Sequence, residues 1–242
     1  AFSHDSIKLA STSWDHTVKV WDASSGVCLQ TLEGHSDGVR SVAFSHDSSK
    51  LALTSWDHTV KVWDASSGAC LQMFEDRGSS AISVSFSHDS IKLASTSWDS
   101  TVKVWDANTV ACLQTLEGHS DGVRSVAFSH DSTKLASASY DKTVKVWDAS
   151  SGACLQTLEG HSGSVNSVAF SHDSSKLASA SYDRTVKVWD ASSGACLQAL
   201  KGHSSIVSSV AFSHDSSKLA SASDDSTVKV WNASSGACLQ TL

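Results

Sequence analysis

The sequence contains no proline and only one methionine, and its longest apolar runs are a few residues long. Such runs fall far below the roughly 20 apolar residues of a membrane-spanning helix, so we expect no membrane insertion. Acidic residues outnumber basic ones by 25 to 18, which gives a net charge of −7. Because this charge repels phosphate backbones, we expect no binding to nucleic acids.

The first residues carry no readable targeting signal. Ala1 is followed by neither a charged segment nor an apolar segment, and there is no initiator methionine. The chain therefore reads as a piece of a longer protein, for which we expect a cytoplasmic location. Its 242 residues, 40% of them hydrophobic, are enough for one large all-β domain with a buried core.

The sequence repeats itself with a period of 42 residues. Each repeat has one cysteine at an equivalent place: Cys28, Cys70, Cys112, Cys154, Cys196 and Cys238. No C-x-x-C pair is present for a metal, and equivalent points of neighbouring repeats should lie beyond the reach of a disulfide. We therefore expect reduced structural thiols, with no disulfide framework, no metal ligands and no cofactor.

Each repeat is predicted to form a four-stranded antiparallel sheet. In the second repeat we expect strands at residues 39–45, 50–55, 59–64 and 69–74, since turn-type clusters separate these β-branched runs. No segment has an apolar period of 3.6 residues, so we expect negligible helix. Such a sheet must bury its faces against other sheets, which favours a radial array.

Gly34-His35, Asp57 and Trp63-Asp64 carry a specific family pattern that recurs at the 42-residue period. Over its whole length the sequence resembles the WD40 repeat family of β-propellers. The resemblance implies an all-β propeller in a single domain, with six four-stranded antiparallel blades at residues 1–32, 33–74, 75–116, 117–158, 159–200 and 201–242. The first blade is truncated and lacks most of its inner strand. We expect either a six-bladed ring with a weak seam or a homodimer paired through this incomplete blade.

The resemblance also implies a hydrogen-bonded chain of His, Asp, Ser or Thr, and Trp within a repeat. The matching residues are His35, Asp57 and Trp63; His119, Asp141 and Trp147; His161, Asp183 and Trp189; and His203, Asp225 and Trp231. A catalytic triad is the alternative interpretation, but an enzyme rarely builds one site four times. No nucleophile elbow or oxyanion loop accompanies these residues, so we interpret them as a structural network and expect no catalytic residues.

Departures from the family pattern predict weaker blades. The second repeat has Leu53 where the others have Ser, the third has Asp76-Arg77 in place of Gly-His, and Asn232 replaces the Asp of Trp-Asp. The recurring Ser-His-Asp-Ser segment, as at residues 45–48, stands where the family commonly has Ser-Pro-Asp-Gly. We interpret its histidines as turn residues.

The differences between the repeats are concentrated in two turns that open on the same rim of a propeller. Neutral drift should also change the turn around Ser66 and Ser67 on the opposite rim, and that turn hardly changes. Large rings and charges at variable positions suit recognition. We therefore predict a rim that binds a protein or peptide, composed of Trp14, Trp56, Trp98, Tyr140, Tyr182, Asp224, His16, His58, Lys142, Arg184, Arg40 and Arg124.

Near-identical repeats with variation confined to one rim are similar to the C-terminal repeat region of fungal NACHT-WD proteins of the heterokaryon-incompatibility type, which are STAND/NLR-like. That resemblance implies the sensor part of a signalling or non-self-recognition receptor. Three alternatives stay open: a general multiprotein assembly scaffold, a lectin-like carbohydrate binder and an engineered consensus propeller. A phosphate-binding loop in the upstream reading frame would favour the receptor.

Overall fold

The computed structural model describes residues 1–75, 80–109 and 111–242, so the Asp76-Arg77 departure lies outside the described residues. Over the described ranges the chain forms 23 β-strands and no helix, and therefore no helix that could cross a membrane. The chain divides into two compact units, Ala1–Thr115 and Leu116–Leu242.

The first unit is built of three antiparallel sheets. Sheet 1 contains β1 (Lys8–Thr12), β2 (Val18–Asp22) and β3 (Cys28–Leu32); sheet 2 contains β4 (Val39–Phe44), β5 (Lys50–Ser55), β6 (Thr59–Asp64) and β7 (Cys70–Glu75); sheet 3 contains β8 (Ala81–Phe86), β9 (Lys92–Ser97), β10 (Val102–Asp106) and β11 (Cys112–Leu116). In place of a fourth strand, sheet 1 has an isolated antiparallel bridge between Phe2 and Leu9. Phe2 thus pairs at the place where each of the other sheets has its first strand.

The second unit is built of three four-stranded sheets. Sheet 4 contains β12 (Val123–Phe128), β13 (Lys134–Ser139), β14 (Val144–Asp148) and β15 (Cys154–Leu158); sheet 5 contains β16 (Val165–Phe170), β17 (Lys176–Ser181), β18 (Thr185–Asp190) and β19 (Cys196–Lys201); sheet 6 contains β20 (Val207–Phe212), β21 (Lys218–Ser223), β22 (Val228–Asn232) and β23 (Cys238–Thr241). Every sheet pairs its strands in chain order. This all-β fold of six antiparallel sheets confirms the predicted fold class and is consistent with a six-blade propeller.

Apolar side chains fill the space between neighbouring sheets of a unit. In the second unit, Val144 and Val146 of sheet 4 pack in one cluster with Val165 and Leu177 of sheet 5, and all four are fully buried. Each such side chain contributes about 1.5–3 kcal/mol by leaving water. A single sheet could not bury both of its faces, which explains why the repeats are stable as stacked sheets.

In the four-stranded sheets, the turn between the second and third strands contains variable residues of the predicted rim. Its third residue has a positive φ, as at His58 (64°), Lys142 (70°) and Arg184 (69°). A left-handed backbone costs a non-glycine residue about 1–2 kcal/mol. The preceding Asp offsets this cost: Asp57 Oδ1 accepts hydrogen bonds from the Thr59 N–H at 3.0 Å and from Thr59 Oγ1 at 2.6 Å.

The turn between the first and second strands joins neighbouring sheets. Ser48 has a φ of 58°, and its Oγ accepts a hydrogen bond from the N–H of His4 in the preceding sheet at 3.0 Å. Asp5 N–H donates to the same oxygen at 3.3 Å, and Asp47 N–H makes the equivalent bond to Ser90 Oγ at 3.3 Å. The second unit repeats the joint, from Asp131 N–H to Ser174 Oγ and from Asp173 N–H to Ser216 Oγ. The last serine of each of these Ser-His-Asp-Ser segments therefore links its sheet to the preceding one.

Candidate functional site

Sheets 4, 5 and 6 each contain a buried hydrogen-bonded chain from a tryptophan to an aspartate. In sheet 4, Trp147 Nε1 donates to Ser137 Oγ at 2.8 Å, Ser137 Oγ lies 2.8 Å from His119 Nε2, and His119 Nδ1 lies 2.7 Å from Asp141 Oδ2. A neutral imidazole with its proton on Nδ1 satisfies all three bonds. The equivalent chains contain Trp189, Ser179, His161 and Asp183, and Trp231, Ser221, His203 and Asp225.

The burial of this chain supports a structural role. Ser137 is completely buried and His119 is 8% exposed, so an external substrate has no access to either side chain. Burial lowers the pKa of His161, and the hydrogen bond and charge of Asp183 offset that effect only in part. The Ser–His–Asp contacts match those of a catalytic triad, but a nucleophile must be reached by its substrate, and this serine is completely buried.

Sheet 2 lacks the central link of the chain because Leu53 takes the place of the serine. His35 Nδ1 still lies 2.8 Å from Asp57 Oδ2. Burial alone would raise the pKa of Asp57, but hydrogen bonds from Thr59, His35 and the Ser36 N–H outweigh it and lower the pKa to about 2.

The two other ends of the broken chain are left unsatisfied. His35 Nε2 and Trp63 Nε1 are buried with no hydrogen-bond partner among the described residues. An unsatisfied buried polar group costs about 1–3 kcal/mol, which gives a physical reason for the weakness predicted for this blade.

In the first unit, the variable residues Trp14, Trp56 and Arg40 form one cluster, which we call the tryptophan cluster. Trp14 is 75% exposed and stacks on Trp56, with ring centroids 6.2 Å apart. Arg40 Cζ lies 4.2 Å from the centroid of the Trp56 ring, a cation–π contact. Trp56 is half-buried, so it supports the more exposed ring of Trp14. The sequence had predicted equivalent exposed rings at these two positions.

The remaining rim residues of the first unit are exposed or partly exposed. Trp98 is 39% exposed, and both His16 and His58 are exposed in their turns. A shallow cavity of about 190 Å³ lies beside Trp14 and is also lined by Arg40. This surface can accept a small apolar or planar group next to a cation.

In the second unit, Arg124, Tyr140, Asn166 and Tyr182 form what we call the tyrosine cluster. Arg124 Cζ lies 5.0 Å from the Tyr140 ring centroid and 5.8 Å from that of Tyr182. Arg124 Nη1 also donates hydrogen bonds to Tyr182 Oη at 3.0 Å and to Asn166 Oδ1 at 2.9 Å. The guanidinium therefore holds two variable rings in fixed positions.

Charged rim residues of the second unit are exposed at the same turns. Lys142, Arg184 and Asp224 are all exposed, and the first two lie two residues after Tyr140 and Tyr182. The predictions from sequence treated the rim positions as independent and missed the contacts that Arg40 and Arg124 make. The sequence carried no signal for these contacts, since the repeats with Ile82 or Asn166 at this place also have an aromatic ring, Trp98 or Tyr182, in the following turn.

The structure also brings together the histidines of the Ser-His-Asp-Ser turns, a proximity that their prediction as turn residues does not include. The rings of His4, His46 and His88 contact one another in the first unit, and those of His130, His172 and His214 do so in succession in the second. The signal for this proximity was the shared place of the histidines directly after the first strand of each repeat. The six cysteines, by contrast, are exposed free thiols on the last strands.

Comparison with known proteins agrees with the geometry. A family model described as WD domain, G-beta repeat matches residues 1–22, 26–64, 68–106, 110–148, 152–190 and 194–232. The chain is similar to nuclear distribution protein PAC1 of Fusarium vanettenii, with 54% identity over 35 residues, or 14% of this chain and 8% of that protein. It is 56% identical to PAC1 of Arthroderma benhamiae over 34 residues, which are 14% of this chain and 7% of that protein.

A WD repeat-containing protein of Schizosaccharomyces pombe is 57% identical over 28 residues, which are 12% of this chain and 8% of that protein. These matches cover less than a tenth of each relative, so they carry the repeat and not the whole protein's role. The six family matches, in contrast, cover most of this chain with the same repeat that the sheets and the buried networks display. The chain belongs to the WD40 repeat family.

Proposed function

We propose that this chain is the sensor part of a signalling or non-self-recognition receptor and binds a protein or peptide through its variable turns. WD40 repeats indicate a protein-interaction or scaffold domain, and the family is generally non-enzymatic. One observation carries the more specific function: side chains that differ between the repeats contact one another across neighbouring sheets.

The tryptophan cluster is the first case of such contact. Trp14 of the first repeat stacks on Trp56 of the second, and the guanidinium of Arg40 lies over the Trp56 ring. Residues that drift independently in exposed turns have no reason to assemble in this way. Exposed aromatic rings that their neighbours hold in place lose little entropy on binding, which makes them suitable anchors.

The tyrosine cluster is the second case, and it differs in chemistry. Arg124 fixes Tyr140 and Tyr182, and the exposed Lys142 and Arg184 add positive charge close by in sequence. The planar guanidinium of Arg184 and the ammonium group of Lys142, each close in sequence to a tyrosine, suit acidic groups on a partner. We therefore expect the second unit to select partners by charge and the first unit to anchor an apolar group.

A peptide-display experiment tests this function. A random peptide library is selected on the full chain, and the selected peptides are then bound to three variants. Replacement of Trp14, Trp56 and Trp98 by Ala should weaken binding by at least about thirtyfold, since one anchor residue contributes about 2 kcal/mol or more. The variant with Lys142 and Arg184 replaced by Glu should bind a different subset of the selected peptides than the parent chain binds tightly.

The matched control lies in the opposite turns. Ser66→Ala combined with Ser192→Ala should leave peptide binding unchanged. If peptides bound the tryptophan variant as well as the parent and failed to bind this control, the recognition surface would be assigned to the wrong turns.

The partner that we propose is a protein rather than a nucleic acid, because the net charge of −7 disfavours phosphate backbones. A general assembly scaffold is the alternative role. An upstream reading frame that contains a G-x-x-x-x-G-K-S/T phosphate-binding loop would support a cytoplasmic receptor. An upstream reading frame that contains unrelated scaffold modules and no such loop would contradict it.

A further inference from the structure

Three imidazole rings lie together in the first unit, outside the variable turns. The ring centroids of His4 and His46 are 3.4 Å apart, those of His46 and His88 are 3.3 Å apart, and those of His4 and His88 are 5.6 Å apart. Each histidine comes from a Ser-His-Asp-Ser turn in a different sheet. We call this group the first histidine cluster.

The second unit contains an equivalent group, which we call the second histidine cluster. The His130 and His172 centroids are 3.6 Å apart, and the His172 and His214 centroids are 3.8 Å apart. These three side chains line one cavity together with Phe170 and Phe212. Rings of successive Ser-His-Asp-Ser turns lie in contact in both units, so the repeat itself generates this proximity.

The backbone holds these histidines in place. Ser48 Oγ accepts the hydrogen bond of the His4 N–H, and Ser90 Oγ accepts that of the residue after His46. The sheet-to-sheet joint therefore fixes the spacing of the three turns. Ligands placed on a fixed backbone bind a metal with a smaller loss of entropy than ligands on separate mobile loops.

The chemistry of the cluster is that of nitrogen donors. The acidic side chains in the same turns are engaged locally: Asp47 Oδ1 accepts hydrogen bonds from Ser45 Oγ at 2.6 Å and from the Ser49 N–H at 3.0 Å. Imidazole nitrogen suits Zn²⁺, Cu²⁺ and Ni²⁺, and it is a poor ligand for Mg²⁺ or Ca²⁺.

We propose that each unit binds one divalent transition-metal ion, such as Zn²⁺, through its histidine cluster. Three imidazoles bound to one ion at the usual Zn–N distance of about 2.0–2.1 Å have ring centroids roughly 5 Å apart. The outer pair, His4 and His88, already has a similar separation of 5.6 Å. Rotation of the His46 ring about its side-chain bonds opens the place for the ion, and water completes the coordination.

Titration of the full, tag-free chain with Zn²⁺ against a chromogenic chelator tests the site. The exposed cysteines are first blocked with iodoacetamide, because thiolates also bind Zn²⁺. We expect two bound ions per chain with dissociation constants below about 10 µM. His46→Ala should remove one ion and His172→Ala the other, with at least about a tenfold loss of affinity at each cluster.

The matched control is His16→Ala, which removes an exposed histidine from a different turn and should leave both ions bound. His46→Gln, which keeps a side chain of similar size, replaces His46→Ala if that variant unfolds. Substitution of Co²⁺ should give the visible absorption of a nitrogen and oxygen site with no thiolate band. Binding weaker than about 100 µM, or an equal loss of Zn²⁺ in His16→Ala, would overturn the proposal.

Discussion

Trp14 stacks on Trp56 across two sheets, with ring centroids 6.2 Å apart and ring planes 23° from parallel. Gly38 lies directly against this stack: a Cβ at Gly38 would sit 2.7 Å from Trp14 Cε3. Contacts this short force a neighbour to move, and the exposed Trp14 ring is the group that can move.

Gly38→Ala should therefore push Trp14 off Trp56 and leave the fold intact. The near-ultraviolet circular dichroism of the coupled indoles should weaken, and peptides that depend on the tryptophan cluster should bind less tightly. Trp14→Ala defines the signal for a complete loss of the pair. An unchanged spectrum in Gly38→Ala would show that the two rings do not depend on this close approach.

Ser137→Ala should destabilise the second unit by about 2–6 kcal/mol. The change leaves both Trp147 Nε1 and His119 Nε2 buried without a partner, and each such group costs about 1–3 kcal/mol. Urea unfolding followed by tryptophan fluorescence measures the difference.

Ser11→Ala is the matched control for this substitution. Ser11 is exposed, and it accepts a hydrogen bond from Trp21 Nε1. Its loss should cost less than about 1 kcal/mol. Equal effects of the two substitutions would argue against the buried chain as a source of stability.

The free energy of unfolding should fall as the pH decreases from about 7 to 5. Burial lowers the pKa of His161 and His35 in the folded chain, although Asp183 and Asp57 oppose the shift and Lys187 and Lys61 add to it. The unfolded chain, with histidine pKa values near 6.5, binds more protons in this range. Stability is therefore present at neutral pH and is lost on acidification.

A second loss should follow at lower pH, because the folded pKa of Asp57 is about 2 and its ordinary value is 3.8. Urea midpoints measured across both ranges test the two steps. A flat profile between about pH 7 and 5 would contradict the neutral buried histidines.

Six thiols per chain should react with a thiol reagent in the native state. Each cysteine is exposed on the last strand of its sheet, so no unfolding is needed for access. The measurement is the number of thiols that react without denaturant, compared with the number in denaturant. Slow reaction of several thiols would place those strands against another surface.

Local features of the fold could be predicted from the sequence because turn chemistry and β-branched runs are local. In the second repeat, the strands expected at 50–55 and 59–64 are present as Lys50–Ser55 and Thr59–Asp64. The last strand, expected at 69–74, begins and ends one residue later, at Cys70–Glu75. Its pairing with the preceding strand contains a bulge, because the register shifts between Val62 and Trp63 of that strand. Such a bulge has no signature in the local pattern.

The contacts between repeats could not be predicted in the same way. Arg124 and Tyr182 are 58 residues apart, and their hydrogen bond depends on how two sheets stack. The proximity of His4 and His46 depends on the same stacking. The internal period identifies equivalent positions, but it does not say which equivalent side chains touch.

The serine with positive φ in each Ser-His-Asp-Ser turn makes repeats within a unit interchangeable parts. A repeat between two others offers the same serine hydroxyl oxygen to the repeat before it and the same aspartate N–H to the repeat after it. Glycine would adopt this φ more easily, but it would remove the acceptor. A repeat that is duplicated or moved therefore finds the same partner atoms at its new place. Whole variable turns can be exchanged in this way, and the proposed binding surface can change while every joint is kept.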